Sequence, residues 1–208
     1  DSENEPNFKD HPSITVDFNA LWETNQDIIA WIYCEDTPIN YPIAQSDDNS
    51  YYLRRLLDGS YNVAGTLFLD YRCKDDFTDR NSIIYGHNMN SGAMFGNLDF
   101  YADETYYQEH PFAYLQTEDS IQEYRIVTVL KADRNLFPFQ QKLADAEAVQ
   151  EYLKAAKQRE VFENGDDYLK CIYDKVLTLV TCSYEWSGAR NIVLAVPVSG
   201  AVWSQKCS

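Results

Sequence analysis

The sequence lacks long apolar segments and begins without an apolar leader. No apolar run reaches the roughly 20 residues that a helix needs to cross a bilayer. The opening stretch, DSENEPNFKDHP, is polar and acidic, unlike the apolar centre of a secretory signal. We therefore expect either a cytosolic protein or the processed ectodomain of a surface protein.

Positive charge is also scarce. Lysine and arginine number 17 against 33 acidic residues, which gives a net charge of −16 at pH 7. Phosphate backbones and anionic lipid surfaces are bound by basic faces. The balance excludes nucleic acid as a partner and argues against docking on an anionic membrane surface.

Histidine is rare, and the cysteines lack metal-binding spacing. The chain has three histidines and five cysteines, with no CxxC pair. Structural zinc sites use closely spaced cysteine and histidine ligands, so we expect no metal. Five is an odd number, so at least one cysteine is unpaired within a monomer. Cys34 and Cys171 lie in apolar segments that favour core packing, whereas Cys73 lies in a charged loop.

The composition that is present favours one β-rich domain. The chain has 208 residues, 45% of them hydrophobic, with 16 tyrosines. This length and hydrophobic content suffice for a core, and the many tyrosines favour β-sheet. Short β-branched runs predict seven or eight strands, in a β-barrel or an α+β domain. We expect residues 1–16 to form a flexible lead-in and residues 17–208 a single domain.

Besides an N-terminal helix with Phe18, Leu21 and Trp22 at helical spacing, two helices are predicted from periodic apolar residues. The clearer one follows Asp145, a plausible N-cap, with apolar residues at i, i+3, i+4 and i+7: Val149, Tyr152, Leu153 and Ala156. A second is expected in DNSYYLRRLLDGSY (48–61), with one apolar face and a stop at Gly59.

Two strand ends carry reactive residue types. GHN (86–88) follows the run NSIIY, and TCS (181–183) follows KVLTLV, with Arg190 eight positions after Cys182. Histidine, cysteine and arginine together supply a proton shuttle, a nucleophile and a cation for an oxyanion, as in cysteine acyl transfer. By residue type alone, Cys182 could equally be a buried hydrophobe and Arg190 an ion-pair partner in this acidic chain.

Several motifs together resemble one enzyme family. TLVTC, followed by Arg190, resembles the TLxTC…R signature of sortases, and IIYGHNMNSGAMFGNL (83–98) resembles the histidine segment of class B sortases. DIIAWIYCEDTPINYPIAQSDDNSYYL and GTLFLDYR match the same class. So does the long helix between IVTVLKADRN and KVLTLVTC. The resemblance extends from about residue 17 to residue 198.

The resemblance implies a fold and three catalytic residues. The expected fold is mainly β with helices (α+β). It is a closed sortase-type barrel of seven to eight strands, with N-terminal helices and a long helix inserted before the nucleophile strand. By the family motifs, Cys182 is the nucleophile, His87 the histidine and Arg190 the arginine. The resemblance implies neither a metal nor another cofactor.

Further contacts to the substrate are expected close to these strand ends, from Asn88, Val180, Thr181, Ser183 and Glu185. Val180 departs from the family, because class B members often carry serine there, so no polar contact is expected from it. Glu185 and its neighbour Trp186 either shape the substrate groove or pack the loop, and Glu185 could also pair with Arg190.

The implied activity is that of a cysteine transpeptidase of Gram-positive cell surfaces. It would cleave a C-terminal sorting motif after threonine through a thioacyl intermediate, then transfer the product to an amine of a peptidoglycan precursor or a pilin. The implied location is the extracellular face of the cell membrane, held by an N-terminal anchor that this sequence does not include.

Three alternatives use the same residues differently. A hydrolytic cysteine peptidase would replace the amine by water. A catalytically silent surface barrel would bind peptides, with Cys182 as a core thiol. A redox protein would pair Cys171 with Cys182, although they lie eleven positions apart and form no CxxC motif.

Overall fold

The structure is a computed structural model that describes residues 14–133, 142–165, 167–182 and 189–198. In these ranges the strands are β1 Ile28–Tyr33, β2 Asn40–Ala44, β3 Leu67–Leu69, β4 Asn81–His87, β5 Phe112–Gln116, β6 Ile121–Asp133, β7 Val176–Cys182 and β8 Ala189–Pro197. The α-helices are α1 Phe18–Thr24, α2 Glu104–Glu109 and α3 Ala146–Lys157. Shorter 3-10 segments cover Tyr52–Arg54, Gly96–Ala102 and Asp167–Lys170.

The strands close into a barrel in the order β1-β2-β3-β4-β7-β8-β6-β5, and β5 pairs back onto β1. The β2/β3 and β4/β7 pairs are parallel, and the other pairs are antiparallel. Closure gives every strand two hydrogen-bonded neighbours. The predicted closed barrel with helices outside is confirmed.

Alternating residues divide the core into an inner and an outer cluster. All eight strands contribute to the inner cluster, which includes Leu177 and Leu179 of β7. Val180 of the same strand and Ile192 of β8 belong to the outer cluster, which helix α3 covers. A strand that presents successive side chains to opposite faces explains this division.

Helix α3 forms as its periodicity predicts. The apolar face is buried against the outside of the barrel, through Val149, Tyr152, Leu153 and Ala156. Asp145 is the N-cap, and its Oδ1 accepts a hydrogen bond from the Ala148 N–H at 2.8 Å. The cap satisfies one of the backbone N–H groups that a helix leaves unpaired at its start.

The prediction of a helix within residues 48–61 is wrong. Only Tyr52–Arg54 forms one 3-10 turn, and the Arg54 carbonyl accepts from the Asn62 N–H at 3.0 Å in place of a helical donor. Asp58 takes the Ser60 N–H at 2.8 Å, and Gly59 has φ +80°. These local polar contacts favour a tight turn, and they override the apolar periodicity.

Two of the cysteines, Cys34 and Cys73, are buried free thiols, and Cys171 is disulfide-bonded. The expected core placement of Cys34 is confirmed. Cys73, expected in a charged loop, lies in the inner cluster with its Sγ 3.5 Å from the Asn81 carbonyl oxygen.

No helix in the described ranges has the length and apolarity needed to cross a bilayer.

Gly86 leaves room for the segment that closes the barrel interior beside His87. A Cβ at residue 86 would lie 2.3 Å from Leu67 Cδ2 and 2.7 Å from the Phe95 ring. Phe95 is fully buried in the inner cluster, and its N–H donates to the His87 carbonyl at 3.0 Å. A side chain at residue 86 would therefore push away the segment that packs beside the histidine.

We predict that Gly86→Ala lowers the free energy of unfolding by about 1–3 kcal/mol, because it overpacks a filled interior. Urea titration followed by tryptophan fluorescence measures the change. Gly165→Ala is the control: its φ is +72° and nothing lies within 4 Å, so it tests backbone strain without crowding. An unfolding free energy unchanged by Gly86→Ala would show that Phe95 and Leu67 yield without cost.

Candidate active site

The parallel pairing of β4 and β7 brings His87 beside Cys182. The two strands stay in register from Asn81 opposite Val176 to His87 opposite Cys182. Neighbouring strands lie about 4.8 Å apart. The backbones of these two residues are therefore adjacent although they are distant in the sequence.

Arg190 approaches from the other side of β7. Strand β8 pairs antiparallel with β7, with Val180 opposite Ile192. Continuing this register by two residues brings Arg190 level with Cys182. On its other side Arg190 pairs with Ala132 of β6. We call His87, Cys182 and Arg190 the strand-end row, since the β4/β7 pairing and the continued β7/β8 register put them at one level.

The histidine of this row is largely buried. His87 is 8% exposed, and it alternates in phase with Ile83 and Tyr85 of the outer cluster. Burial, together with the nearby positive charge of Arg54, holds the pKa of His87 below its usual value. Both effects disfavour the imidazolium form, so His87 is mostly neutral at neutral pH.

Val180 and Thr181, two of the expected substrate contacts, have structural roles in the barrel. Both side chains are 0% exposed. Val180 belongs to the outer cluster under α3, and the Thr181 hydroxyl accepts the Asn191 N–H at 3.0 Å across the β7/β8 pair. Strand alternation places Val180 on the outer face and Thr181 on the inner face of β7, and both faces are covered at these positions. Their contact with a substrate stays a prediction.

Asn88 directs its amide to the protein, where its Nδ2 donates to Asp99 Oδ2 at 2.9 Å. The expectations for Ser183, Glu185 and Trp186 fall outside the described residues.

Sequence reasoning missed Asp99 and Asn191, which lie next to the row. The Asp99 carboxylate accepts from Asn88 Nδ2 through one oxygen and from Asn191 Nδ2 through the other. Asn191 is 9% exposed. We call Asn88, Asp99 and Asn191 the amide–carboxylate bridge. Its only sequence signal was the position of Asp99 directly after the histidine segment (83–98), which does not separate it from a solvated carboxylate.

The two free thiols outside the row are poor nucleophiles. Burial raises the pKa of Cys34 to about 12 and that of Cys73 to about 11. Since the thiolate is the reactive form, neither cysteine reacts readily near neutral pH. The described residues also contain no cluster of three or more side chains that could hold a metal ion.

Comparisons with known proteins show the family of this chain. The sequence profile of the sortase domain matches residues 32–198. The chain belongs to the sortase family. It is 33% identical over 165 residues to sortase B of Listeria monocytogenes, a match that covers 79% of this chain and 66% of that protein.

Solved structures of class B sortases share the fold of this chain. Sortase B of Bacillus anthracis, in complex with AAEK1, has a TM-score of 0.75 at 30% identity, covering 86% of this sortase and 83% of that chain. Sortase B of Clostridium perfringens has a TM-score of 0.78 at 26% identity, covering 88% and 100%. The resemblance to class B is thereby confirmed, and this sortase is a member of a family of cysteine transpeptidases of surface proteins.

We predict that Arg54→Gln raises the pKa of His87, because it removes a cation that opposes imidazolium formation. The titration of the His87 Cε1–H resonance by NMR measures it, with His11 and His110 as internal references. Arg54→Lys is the matched control, since it keeps the charge and should leave the pKa low. If Gln and Lys at residue 54 give the same His87 titration, desolvation alone lowers the pKa.

Proposed function

We propose that this sortase cleaves a C-terminal sorting motif of surface proteins after its threonine and transfers the threonyl carbonyl to an amine. The observation that best supports this proposal is the register that pairs His87 with Cys182. A nucleophile beside a proton shuttle is the minimum arrangement for covalent acyl transfer. In this proposal residues 17–208 are the catalytic domain and residues 1–16 its anchor-side lead-in.

The first half-reaction forms a thioester. The Cys182 thiolate attacks the threonine carbonyl, and the carbonyl oxygen takes the negative charge of the tetrahedral intermediate. As the C–N bond breaks, the His87 imidazolium gives its proton to the leaving amine. The C-terminal fragment departs, and the threonyl group stays on the sulfur.

The second half-reaction consumes the thioester. The acceptor amine attacks the same carbonyl, neutral His87 takes the proton that the amine loses, and the sulfur leaves as the Cys182 thiolate. A new amide bond replaces the thioester, and the enzyme returns with a thiolate and an imidazolium.

Arg190 has an electrostatic role in the proposal. Its guanidinium is permanently charged and donates up to five hydrogen bonds in a planar fork. At the level of Cys182 it would stabilise the thiolate, then the oxyanion of each tetrahedral intermediate, or hold a substrate carbonyl. A substitution that keeps the charge but removes the fork should retain part of this effect.

Turnover should be slow. With ordinary pKa values, about 1% or less of the enzyme holds cysteine as thiolate and histidine as imidazolium at neutral pH. The lowered pKa of His87 reduces this fraction further. The positive charge of Arg190 opposes that loss by favouring the thiolate.

The partners in the proposal follow from the same chemistry. The acyl donor is a surface protein with the sorting motif near its C-terminus. The acceptor is an amine of a peptidoglycan precursor or of a pilin lysine. Such substrates require that the enzyme act on the extracellular face of the membrane.

We predict that peptides carrying a suitable sorting motif leave a threonyl adduct on Cys182, and that ligated product forms only when an amine is added. Mass spectrometry of the intact protein and of the products, with and without triglycine or a diamine, measures both. Cys182→Ala is the control and should give neither, because no thioester can form.

Other results would point to the alternatives. Cleavage with no ligation at high amine concentration would indicate a peptidase that uses water. Equal peptide affinity of wild type and Cys182→Ala, with no adduct and no alkylation of Cys182 between pH 7 and 9, would indicate a silent binding barrel.

A further inference from the structure

We propose that Asp99 is a positioning residue of this active site. Its carboxylate ties together the strand ends that carry His87 and Arg190, and so keeps both at a fixed distance from Cys182. The proposal rests on the catalytic roles proposed above.

Two residues of the amide–carboxylate bridge directly follow residues of the strand-end row in the sequence. Asn88 directly follows His87, and its Nδ2 donates to Asp99 Oδ2 at 2.9 Å. Asn191 directly follows Arg190, and its Nδ2 donates to Asp99 Oδ1. One carboxylate therefore joins the residue after the histidine to the residue after the arginine.

The nucleophile strand is joined to the same bridge. The Asn191 N–H donates to the Thr181 hydroxyl at 3.0 Å, and Thr181 directly precedes Cys182. Strand β7 lies between β4 and β8, so the bridge spans all three strand ends. A change at Asp99 would reach His87 and Arg190 through one peptide unit each, and Cys182 through Asn191 and Thr181.

Strand alternation separates the bridge from the reacting groups. Asn191 is in phase with Val193 and Ala195 of the inner cluster. His87 is in phase with Ile83 and Tyr85 of the outer cluster. The bridge therefore lies on the opposite face of the strands from His87, and in this proposal Asp99 acts through the backbone and not by touching the substrate.

Asp99 is itself held firmly. It belongs to the 3-10 segment Gly96–Ala102, which Leu98 and Tyr101 anchor in the inner cluster with 0% exposure. The Tyr106 hydroxyl donates to the Asn97 side chain in the same segment. Gly96 lies so close to Met89 that a Cβ would be 2.3 Å from the Met89 carbonyl oxygen. A rigid support of this kind lets a hydrogen bond fix a strand end.

The donor and acceptor pattern explains why a carboxylate stands here. Two amide N–H₂ groups point at one side chain, which must accept at both of its terminal atoms. In Asp99→Asn one of those atoms becomes an N–H₂ that faces another N–H₂. Asn191→Asp has the converse fault, because a carboxylate would face a carboxylate.

The double variant Asp99→Asn with Asn191→Asp restores the pattern. Asn at residue 99 would accept from Asn88 through its oxygen and donate to Asp at residue 191 through its nitrogen. Side-chain volume stays nearly constant across this cycle, and the double variant has the net charge of wild type, whereas each single variant differs from it by one charge. The cycle therefore isolates hydrogen-bond complementarity from charge and size.

The experiment compares wild type, the two single variants and the double variant in the ligation assay. The second readout is the pH dependence of Cys182 alkylation by iodoacetamide, assigned by peptide mass, which needs no sorting peptide. Asp119→Asn is the charge-matched control. Asp119 is exposed in the turn 117–120 before β6, whereas β6 meets Arg190 at its other end, where Ala132 pairs with Arg190.

We expect each single variant to lower kcat by about 10- to 100-fold, the range that a misplacement of about 1 Å produces, with KM nearly constant. The pH profile of Cys182 alkylation should shift, because the coupling of the thiol to His87 changes. The double variant should recover most of the lost rate and the wild-type profile. Asp119→Asn should match wild type in both assays.

Two results would overturn the proposal. One is wild-type kcat and alkylation profile in Asp99→Asn. The other is a variant whose total rate falls only because fewer molecules are folded. Its ligation rate per alkylatable Cys182 would then equal that of wild type, and Asp99 would act only on stability. A wild-type enzyme inactive toward every peptide would contradict the proposed function, whereas the alkylation profiles would still decide the role of Asp99.

Discussion

The in-register parallel pairing of β4 with β7 is the constraint on which the site depends. Parallel strands cannot be joined by a tight turn. The chain therefore builds the β5/β6 hairpin, extends β6 and adds helix α3 before it returns as β7. This long connection supplies much of the outer cluster through β6 and helix α3. It also lets β7 end at the level where β4 ends. A slip of one residue would no longer bring Cys182 opposite His87.

The barrel interior limits what can stand beside this pair. Phe95 and Leu98 fill the inner face at the end of β4, and Gly86 leaves the space that Phe95 occupies. The segment that follows the histidine is thereby pulled back over the barrel. It delivers Asp99 to the inner side of the strands that carry the row. The same segment that packs Phe95 and Leu98 into the barrel therefore also positions the Asp99 carboxylate.

The electrostatics of the site differ from those of the whole chain. The net charge of −16 opposes a thiolate at long range, where salt screens it strongly. Arg54 affects His87 directly, and Arg190 is level with Cys182 by the strand register. Cations favour a thiolate and disfavour an imidazolium, so they help the nucleophile and hinder the proton donor. The same opposition, with the buried histidine mostly neutral, is the reason why slow turnover is expected.

The sequence by itself determined the strands, helix α3 with its Asp145 cap, and the family, because periodicity, capping chemistry and the TLxTC…R pattern are local signals. It also indicated His87, Cys182 and Arg190 by motif. Only the tertiary structure decided that residues 48–61 make a turn, that Val180 and Thr181 are buried, and that Asp99 joins Asn88 to Asn191. These outcomes depend on which strands become neighbours and which face each residue meets. Both are set by long-range pairing, which no local pattern in the sequence encodes.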